Sequence, residues 1–224
     1  MDRIAWQKSE SIEVGIFLAL TGGILDAYSF LVRGGVFANA QTGNIVLLGV
    51  YLAQRQFGRA AHYIVPIVAF AVGIVMAEAI KTYYHRRQNT ALHWRQVVIG
   101  IEIFLLILVA FLPQSMNTLA NVLVSFVCSL QVQTFRRIHN ITCATTMCTG
   151  NLRSGVAALY QYSQTKSKED LNNGLGYLGV DLVFLVGAVA GAFAAFSWAE
   201  KSVLVSCGLL FLVFLVMFIR ENEK

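Results

Sequence analysis

Val36-Phe37-Ala38-Asn39-Ala40-Gln41-Thr42-Gly43-Asn44-Ile45-Val46-Leu47-Leu48-Gly49 places a polar, helix-breaking step inside a segment otherwise apolar enough to sit in a membrane. The step returns at Cys143-Ala144-Thr145-Thr146-Met147-Cys148-Thr149-Gly150-Asn151-Leu152. There Thr-Gly-Asn recurs at an offset of 107 residues (149 − 42), close to half of the 224-residue chain. The pair predicts a protein of two halves, each with a half-helix that begins at Thr-Gly-Asn and dips into the bilayer. The helical part of the first, Thr42 to about Ala53, covers roughly 18 Å at 1.5 Å per residue, short of a hydrocarbon core about 30 Å thick.

The rest of the chain supports a membrane setting. Hydrophobic residues make up 57% and charged residues 13%, with a mean hydropathy of +0.64, whereas soluble domains are about 25% charged. Several windows reach the roughly 20 apolar residues that a transmembrane helix needs, which excludes an ordinary soluble domain. A net charge of +5 could suggest nucleic acid, but the basic residues lie between apolar segments and not along one amphipathic face. They read as topology signals, and no nucleic-acid partner is expected. Met1 to Glu10 is polar and leads into a long apolar run, as in a retained signal-anchor. Cys128, Cys143, Cys148 and Cys207 form no Cys-x-x-Cys pair and read as small packing residues.

In chain order, a first segment from Ile12 to Val32 carries Asp26 near its middle, closed by Arg33-Gly34-Gly35. An ionisable group at that depth marks a bundle interior or an aqueous cavity. A third segment, Ala61 to Tyr84, has Pro66 near its start and leads into a basic linker over 81–96, which belongs in the cytoplasm. A fourth, Val97 to Leu112, ends at the uncharged turn Pro113-Gln114-Ser115-Met116-Asn117, and a fifth, Thr118 to Phe135, ends at Arg136-Arg137. The second half-helix, Thr149 to Tyr162, is followed by a mixed-charge loop from Ser163 to Asn173. Then come Leu175 to Trp198, with Asp181 and a small-residue run from Gly187 to Ala192, and Val203 to Ile219.

Phe70-Ala71-Val72-Gly73 and Phe184-Leu185-Val186-Gly187 also correspond, at an offset of 114 (184 − 70). Two motifs repeated in the same order predict a duplicated unit, residues 12–113 and 118–219. If the Thr-Gly-Asn segments cross fully, each unit has four crossings and the halves are parallel; if they turn back, each has three and the halves are inverted. Lysine and arginine separate the two. With Arg153 set aside, the re-entrant arrangement puts twelve of these residues inside and four outside, against eight and eight for full crossings. Arg55 and Arg59 count against the preferred arrangement. The expected fold is an all-α polytopic membrane protein with six transmembrane helices, two re-entrant half-helices, an inverted 3+3 repeat and both termini cytoplasmic. Seven or eight full spans are the alternative.

Broken backbone at membrane depth is tolerated only where it is buried in protein or lines a water-filled cavity. A half-helix start there aims unpaired N–H groups and its positive dipole end at the midplane. The offset of 107 sets Asp26 against Gln133, and Ile24 against Gln131. The candidate binding residues are therefore Asp26, Asn39, Gln41, Thr42, Gly43, Asn44, Gln131, Gln133, Thr146, Thr149, Gly150 and Asn151, expected in one cluster on a pseudo-twofold axis. The competing reading is that Thr and Asn merely cap their half-helices while Gly permits close packing. The four histidines have no ligand spacing, and no catalytic order or phosphate-cradling loop stands out. No enzyme activity, metal or cofactor is expected. The function expected is a small-solute secondary transporter or channel, with a non-transporting scaffold or sensor as the alternative. The partners expected are a small polar solute or ion and the lipid bilayer, with a homo-oligomer left open.

The residues Gly22-Gly23-Ile24-Leu25-Asp26-Ala27-Tyr28-Ser29-Phe30, Gly35-Val36-Phe37 and Thr42-Gly43-Asn44 resemble the YoaK family of bacterial membrane proteins of unknown function. So do Leu130-Gln131-Val132-Gln133-Thr134-Phe135-Arg136-Arg137, Thr145-Thr146 and Thr149-Gly150-Asn151, and the likeness extends over nearly the whole chain. Gln133 stands where the family's Leu-Gln-Asn pattern has Asn. The resemblance implies the bacterial inner membrane and brings no substrate with it.

Overall fold

The computed structural model of the chain describes residues 8–86 and 93–219. The middle of the basic linker and both extreme termini lie outside these residues, so the cytoplasmic placement expected of the termini is not addressed. The described residues form α1 (Ile12–Val32), α2 (Gln41–Ala53), α3 (Phe57–Arg86), α4 (Trp94–Ala110), α5 (Asn117–Thr134), α6 (Cys148–Thr165), α7 (Lys168–Trp198) and α8 (Leu204–Ile219). Short 3₁₀ turns precede α1, join α4 to α5 and join α7 to α8. Outside the helices, Ile138 and Ile141 form an isolated antiparallel bridge.

Local chemistry sets the ends of several helices. Ser11 caps α1 by accepting from the Val14 amide, and the helix stops where Gly34 and Gly35 take φ values of +87° and +77°, open to glycine at little cost. His93 and Gln96 make a reciprocal capping box at the start of α4. The largest differences from the sequence reading are at the start of α3 and at the α6–α7 junction, and α4 also begins three residues early, at Trp94. α3 begins at Phe57, so Pro66 lies in its interior. The stretch expected as a loop from Ser163 to Asn173 is mostly helix, broken only at Lys166 and Ser167. Nothing in Lys168–Asn173 interrupts a helix, and Glu169 and Asp170 in the first turn of α7 complement its dipole.

Among the described residues, four stretches are long and apolar enough to cross a membrane: Ile12–Val32, Phe57–Arg86, Gln114–Thr134 and Lys168–Phe218, the last covering α7 and nearly all of α8. Polarity is distributed inside out. Val65, Val68, Val72 and Val75 form an exposed stripe on α3, and Leu182, Leu185, Val186, Val189, Phe193 and Phe196 form another on α7. Only 22% of the most apolar α3 window is buried in protein, and an uncovered apolar face of that extent calls for hydrocarbon around it. By contrast Asn121, Ser125, Ser129 and Gln131 of α5 are fully buried.

Packing partners come in matched sets. α1 packs along α7 as α3 does along α5; α2 lies on α3 as α6 does on α7; α4 meets α5 as α8 meets α1; and α4 and α8 pack on each other. Close approach depends on glycine in the first two pairs. A Cβ on Gly23 would stand 2.6 Å from the Ala188 nitrogen, one on Gly187 2.8 Å from Leu20 Cα, and one on Gly73 2.8 Å from the Phe126 oxygen. Leu20 beside Gly187 and Ile24 beside Gly191 make α1 and α7 parallel. Gly73 beside Phe126, with Glu78 bonded to Gln133, does the same for α3 and α5. The main apolar core, with Leu25, Tyr28, Ile99, Leu106, Val124, Val127 and Leu210, fills the space between α1, α4, α5 and α8.

Candidate functional site

Gly22 is the middle residue of α1, and both interrupted segments reach it. Past the two glycines the chain turns back along α1, with contacts that step down that helix. The Gly35 amide donates to Phe30 O, Ala38 N to Ser29 Oγ at 3.3 Å, Asn39 N to Asp26 Oδ1 at 3.0 Å, and Asn39 Nδ2 to Gly22 O at 2.9 Å. α2 then starts at Gln41 and leads to α3, where Tyr51 stacks on Tyr63.

The second segment arrives along the other half of α1. Gln131 Nε2, near the end of α5, donates to Leu18 O at 3.0 Å and to Thr145 Oγ1 at 3.1 Å. A Cβ on Gly22 would lie 2.8 Å from Thr145 O and 3.3 Å from Thr146 Cγ2, so only a glycine leaves room for this loop. α6 starts at Cys148 and runs antiparallel to α7, with Gly155 against Leu178 and Gly174 against Leu159.

The two motifs share one internal device. Asn44 Nδ2 donates to Phe37 O at 2.9 Å, and Asn151 Nδ2 donates to Ala144 O at 2.7 Å, each seven residues back, with donors and acceptors both 107 apart. Each asparagine is the fourth residue of its helix and so is not an N-cap. The N-caps are Ala40 and Met147, neither of which makes a side-chain cap bond. Asn44 is the one residue α2 buries, and α6 buries Asn151 and Gly155. Thr42, Thr149 and Gly150 are exposed and Gly43 is half-buried, so the threonines do not converge with the asparagines. Gln41 donates to Ala38 O and accepts from Asn44.

The expected cluster is therefore divided. Asp26, Asn39, Gln131 and Thr146 gather around the centre of α1, with Gln41, Asn44 and Asn151 bracing the loops that reach it. Gln133 lies apart: it bonds Glu78 of α3, which also faces Lys81 at 3.9 Å. Asp181 accepts from Asn151 at 3.0 Å and anchors α6 to α7. Four of the expected site residues keep a buried polar atom without a hydrogen-bond partner: Asn39 Oδ1, Asn44 Oδ1, Gln131 Oε1 and Thr146 Oγ1. Such atoms are rare and call for a ligand, water or an ion. Toward the N-terminal end of α1 a cavity of about 460 Å³ opens between the N-terminal halves of α1 and α7 and the Ile138–Ile141 bridge. Its walls include Ala19 and Val183, within a turn of Gly22 and Phe184, and its polar groups are His139, Asn140, Asn172 and Asn173. Among the described residues no cluster of His, Cys, Asp and Glu has the makings of a metal site.

Two buried charged residues escaped the sequence reading. Arg33, counted there as a loop charge, is fully buried and donates to Tyr28 Oη at 2.7 Å, Asn117 Oδ1 at 3.1 Å, and the carbonyls of Val109 and Leu112 at 2.9 and 3.0 Å. It satisfies carbonyls that the end of α4 leaves open and sits at the negative end of that helix dipole. Glu102, in the middle of α4, is fully buried. A lone carboxylate in an apolar run was its only signal in the sequence.

The sequence profile described as "Protein of unknown function (DUF1275)" matches residues 14–216. The chain belongs to the DUF1275 family. It is also similar to the "UPF0700 transmembrane protein YoaK" of Bacillus subtilis (strain 168), 26% identical over 147 residues, or 61% of this chain and 62% of that protein. The match thus spans less than two thirds of the relative's length. No solved structure matches the chain. With its apolar helices and a transmembrane relative, this DUF1275 chain is a multi-pass membrane protein, and the family description leaves its activity open.

Proposed function

We propose that this DUF1275 protein is a small-solute transporter or channel, with a binding site at the depth of Gly22 formed by Asp26, Asn39, Gln131 and Thr146. What carries the reading is that two chain-reversing loops reach the midpoint of one helix from opposite ends and leave buried Asn39, Gln131 and Thr146 atoms unpaired there. Unpaired groups at this depth are costly unless something polar occupies them. Asp26, half-buried with one oxygen held by the Asn39 amide, adds the carboxylate that suits a cation or a solute donor. The cavity between α1 and α7 is the approach from the end that bears Arg136 and Arg137.

In this reading α2 and α6 are re-entrant and the halves form an inverted repeat. The matched packing sets and the equivalent Asn44 and Asn151 bonds support a duplicated unit. At about 1.5 Å per residue, the 13 residues of α2 are too short to cross a core about 30 Å thick.

Proteoliposomes bearing the full chain, screened by light scattering with a panel of small polar solutes and monovalent ions, test the function. Asp26→Asn is expected to lower the flux of any permeant at least about tenfold, equivalent to about 1.4 kcal/mol. Unchanged flux removes Asp26 from the mechanism. The alternative, a non-transporting scaffold or sensor, is favoured by one observation: the Asn44 and Asn151 amides are engaged within their own segments. No flux of any solute in the panel would support it.

A further inference from the structure

A second set of unpaired buried polar atoms belongs to α4 and to two helices that pack on it, α5 and α8. Both carboxylate oxygens of Glu102 lack a hydrogen-bond partner, as do Ser125 Oγ, Ser206 Oγ, Thr134 Oγ1, Gln96 Nε2 and Asn121 Oδ1. All of these residues are nine-tenths or more buried.

α4 and α5 are antiparallel, joined by the turn at Gln114–Met116. Glu102 lies eight residues before the end of α4 (110 − 102) and Ser125 eight after the start of α5 (125 − 117), so they share a depth. α8 joins them at that level, since Cys207 Sγ contacts Ile103 O at 4.0 Å and Ser206 adjoins it. Gln96 and Thr134 lie toward one end of the hairpin and Asn121 toward the other, where its amide holds Arg33 O. The titratable groups placed near Glu102 are Cys128 on α5, which is also near Asp26 of α1, and Cys207 on α8. Among the described residues no cation forms an ion pair with Glu102.

We propose that Glu102 is a proton-binding site inside the core where α4 packs on α5 and α8, exchanging its proton with water. A buried carboxyl without a cation is stable when it carries a proton. One carboxyl and two hydroxyls are too few oxygens for a hard metal ion, which takes six or more. In the exchange a water-borne proton binds a carboxylate oxygen and later returns to water; no bond to carbon changes. Glu102 is not among the solute-site residues, and its test does not need a known solute.

The test is infrared difference spectroscopy on the full chain in liposomes, between acid and alkaline buffer. The wild type is expected to lose a protonated-carboxyl band on alkalinisation, reversibly. Glu102→Gln should abolish that band and Asp26→Asn should keep it. Glu102→Asp is a second variant, in case the amide does not fold, and should keep a titrating band at a shifted frequency. A wild type with no titrating carboxyl band, or variants at Glu102 that leave the band unmoved, overturns the proposal. Neither result alters the solute-flux comparison at Asp26.

Discussion

Asn44 and Asn151 show how one residue type can close a loop from inside the helix that follows it. Each amide nitrogen bridges the chain reversal that precedes its helix, and without that bridge the carbonyl seven residues back would be left unpaired in a water-poor setting. Asn151 also accepts from Ala144 N and donates to Asp181, whereas Asn44 has one further bond, to Gln41. Asn151→Ala is therefore expected to destabilise more than Asn44→Ala, with both costing about 1–3 kcal/mol, read as unfolding midpoints in detergent. Equal, negligible losses would show that these bonds do not hold the loops. The motif stands out in the sequence because Thr-Gly-Asn is polar where its neighbours are not. Its division of labour does not: exposed Thr42 and Thr149, against buried Asn44 and Asn151, follow from helical register. Arg33 was misread for a related reason. A charge at a helix end, just before two glycines, ordinarily reaches solvent, and only the fold brings the end of α4 over it.

At the scale of the element, the contact between α1 and α7 rests on Gly22, Gly23, Gly187 and Gly191. Alanine at Gly23 or Gly187 would push a methyl into neighbouring backbone, which cannot rotate away. Gly23→Ala and Gly187→Ala are expected to cost about 1–3 kcal/mol, as overpacked sites do. Gly49→Ala, in α2 with nothing within 4 Å of its Cβ, is expected to be neutral or stabilising by about 0.5–1 kcal/mol. Thermal melts of the three variants would check the contrast, and a similar effect at all three would contradict the close-packed crossing. The small-residue run from Gly187 to Ala192 announced a helix contact, but its partner could not be read from sequence, because α1 and α7 lie more than 150 residues apart (187 − 23).

For the whole molecule, the re-entrant arrangement puts the Gly35 and Gln56 ends of the first interrupted segment on one membrane face and Thr165 on the other. Full crossings would instead separate Gly35 from Gln56 and put Gln56 with Thr165. Single cysteines at Gly35, Gln56 and Thr165, in a chain whose four native cysteines are replaced, are expected to react with a membrane-impermeant thiol reagent in the pattern same, same, opposite. Labelling of Gln56 and Thr165 from the same face would discard both the inverted repeat and the shared midplane site. The apolar stripes of α3 and α7 would remain as lipid-facing surfaces in either case.

Composition and hydropathy alone determined that this is a helical membrane protein, because no water-soluble fold can cover so much apolar surface. The repeated Thr-Gly-Asn, with the later Phe-x-x-Gly match, pointed to two related halves and to where the helices break. Tertiary structure decided what those breaks meet. It brought Asn39 and Thr145 to one residue of α1, sent Gln133 to Glu78, sealed Arg33 over the end of α4 and left Glu102 without a partner. These outcomes depend on contacts between segments far apart in the chain. Such contacts are set by how the helices cross and at what depth, and the order of residues within any one segment does not record either.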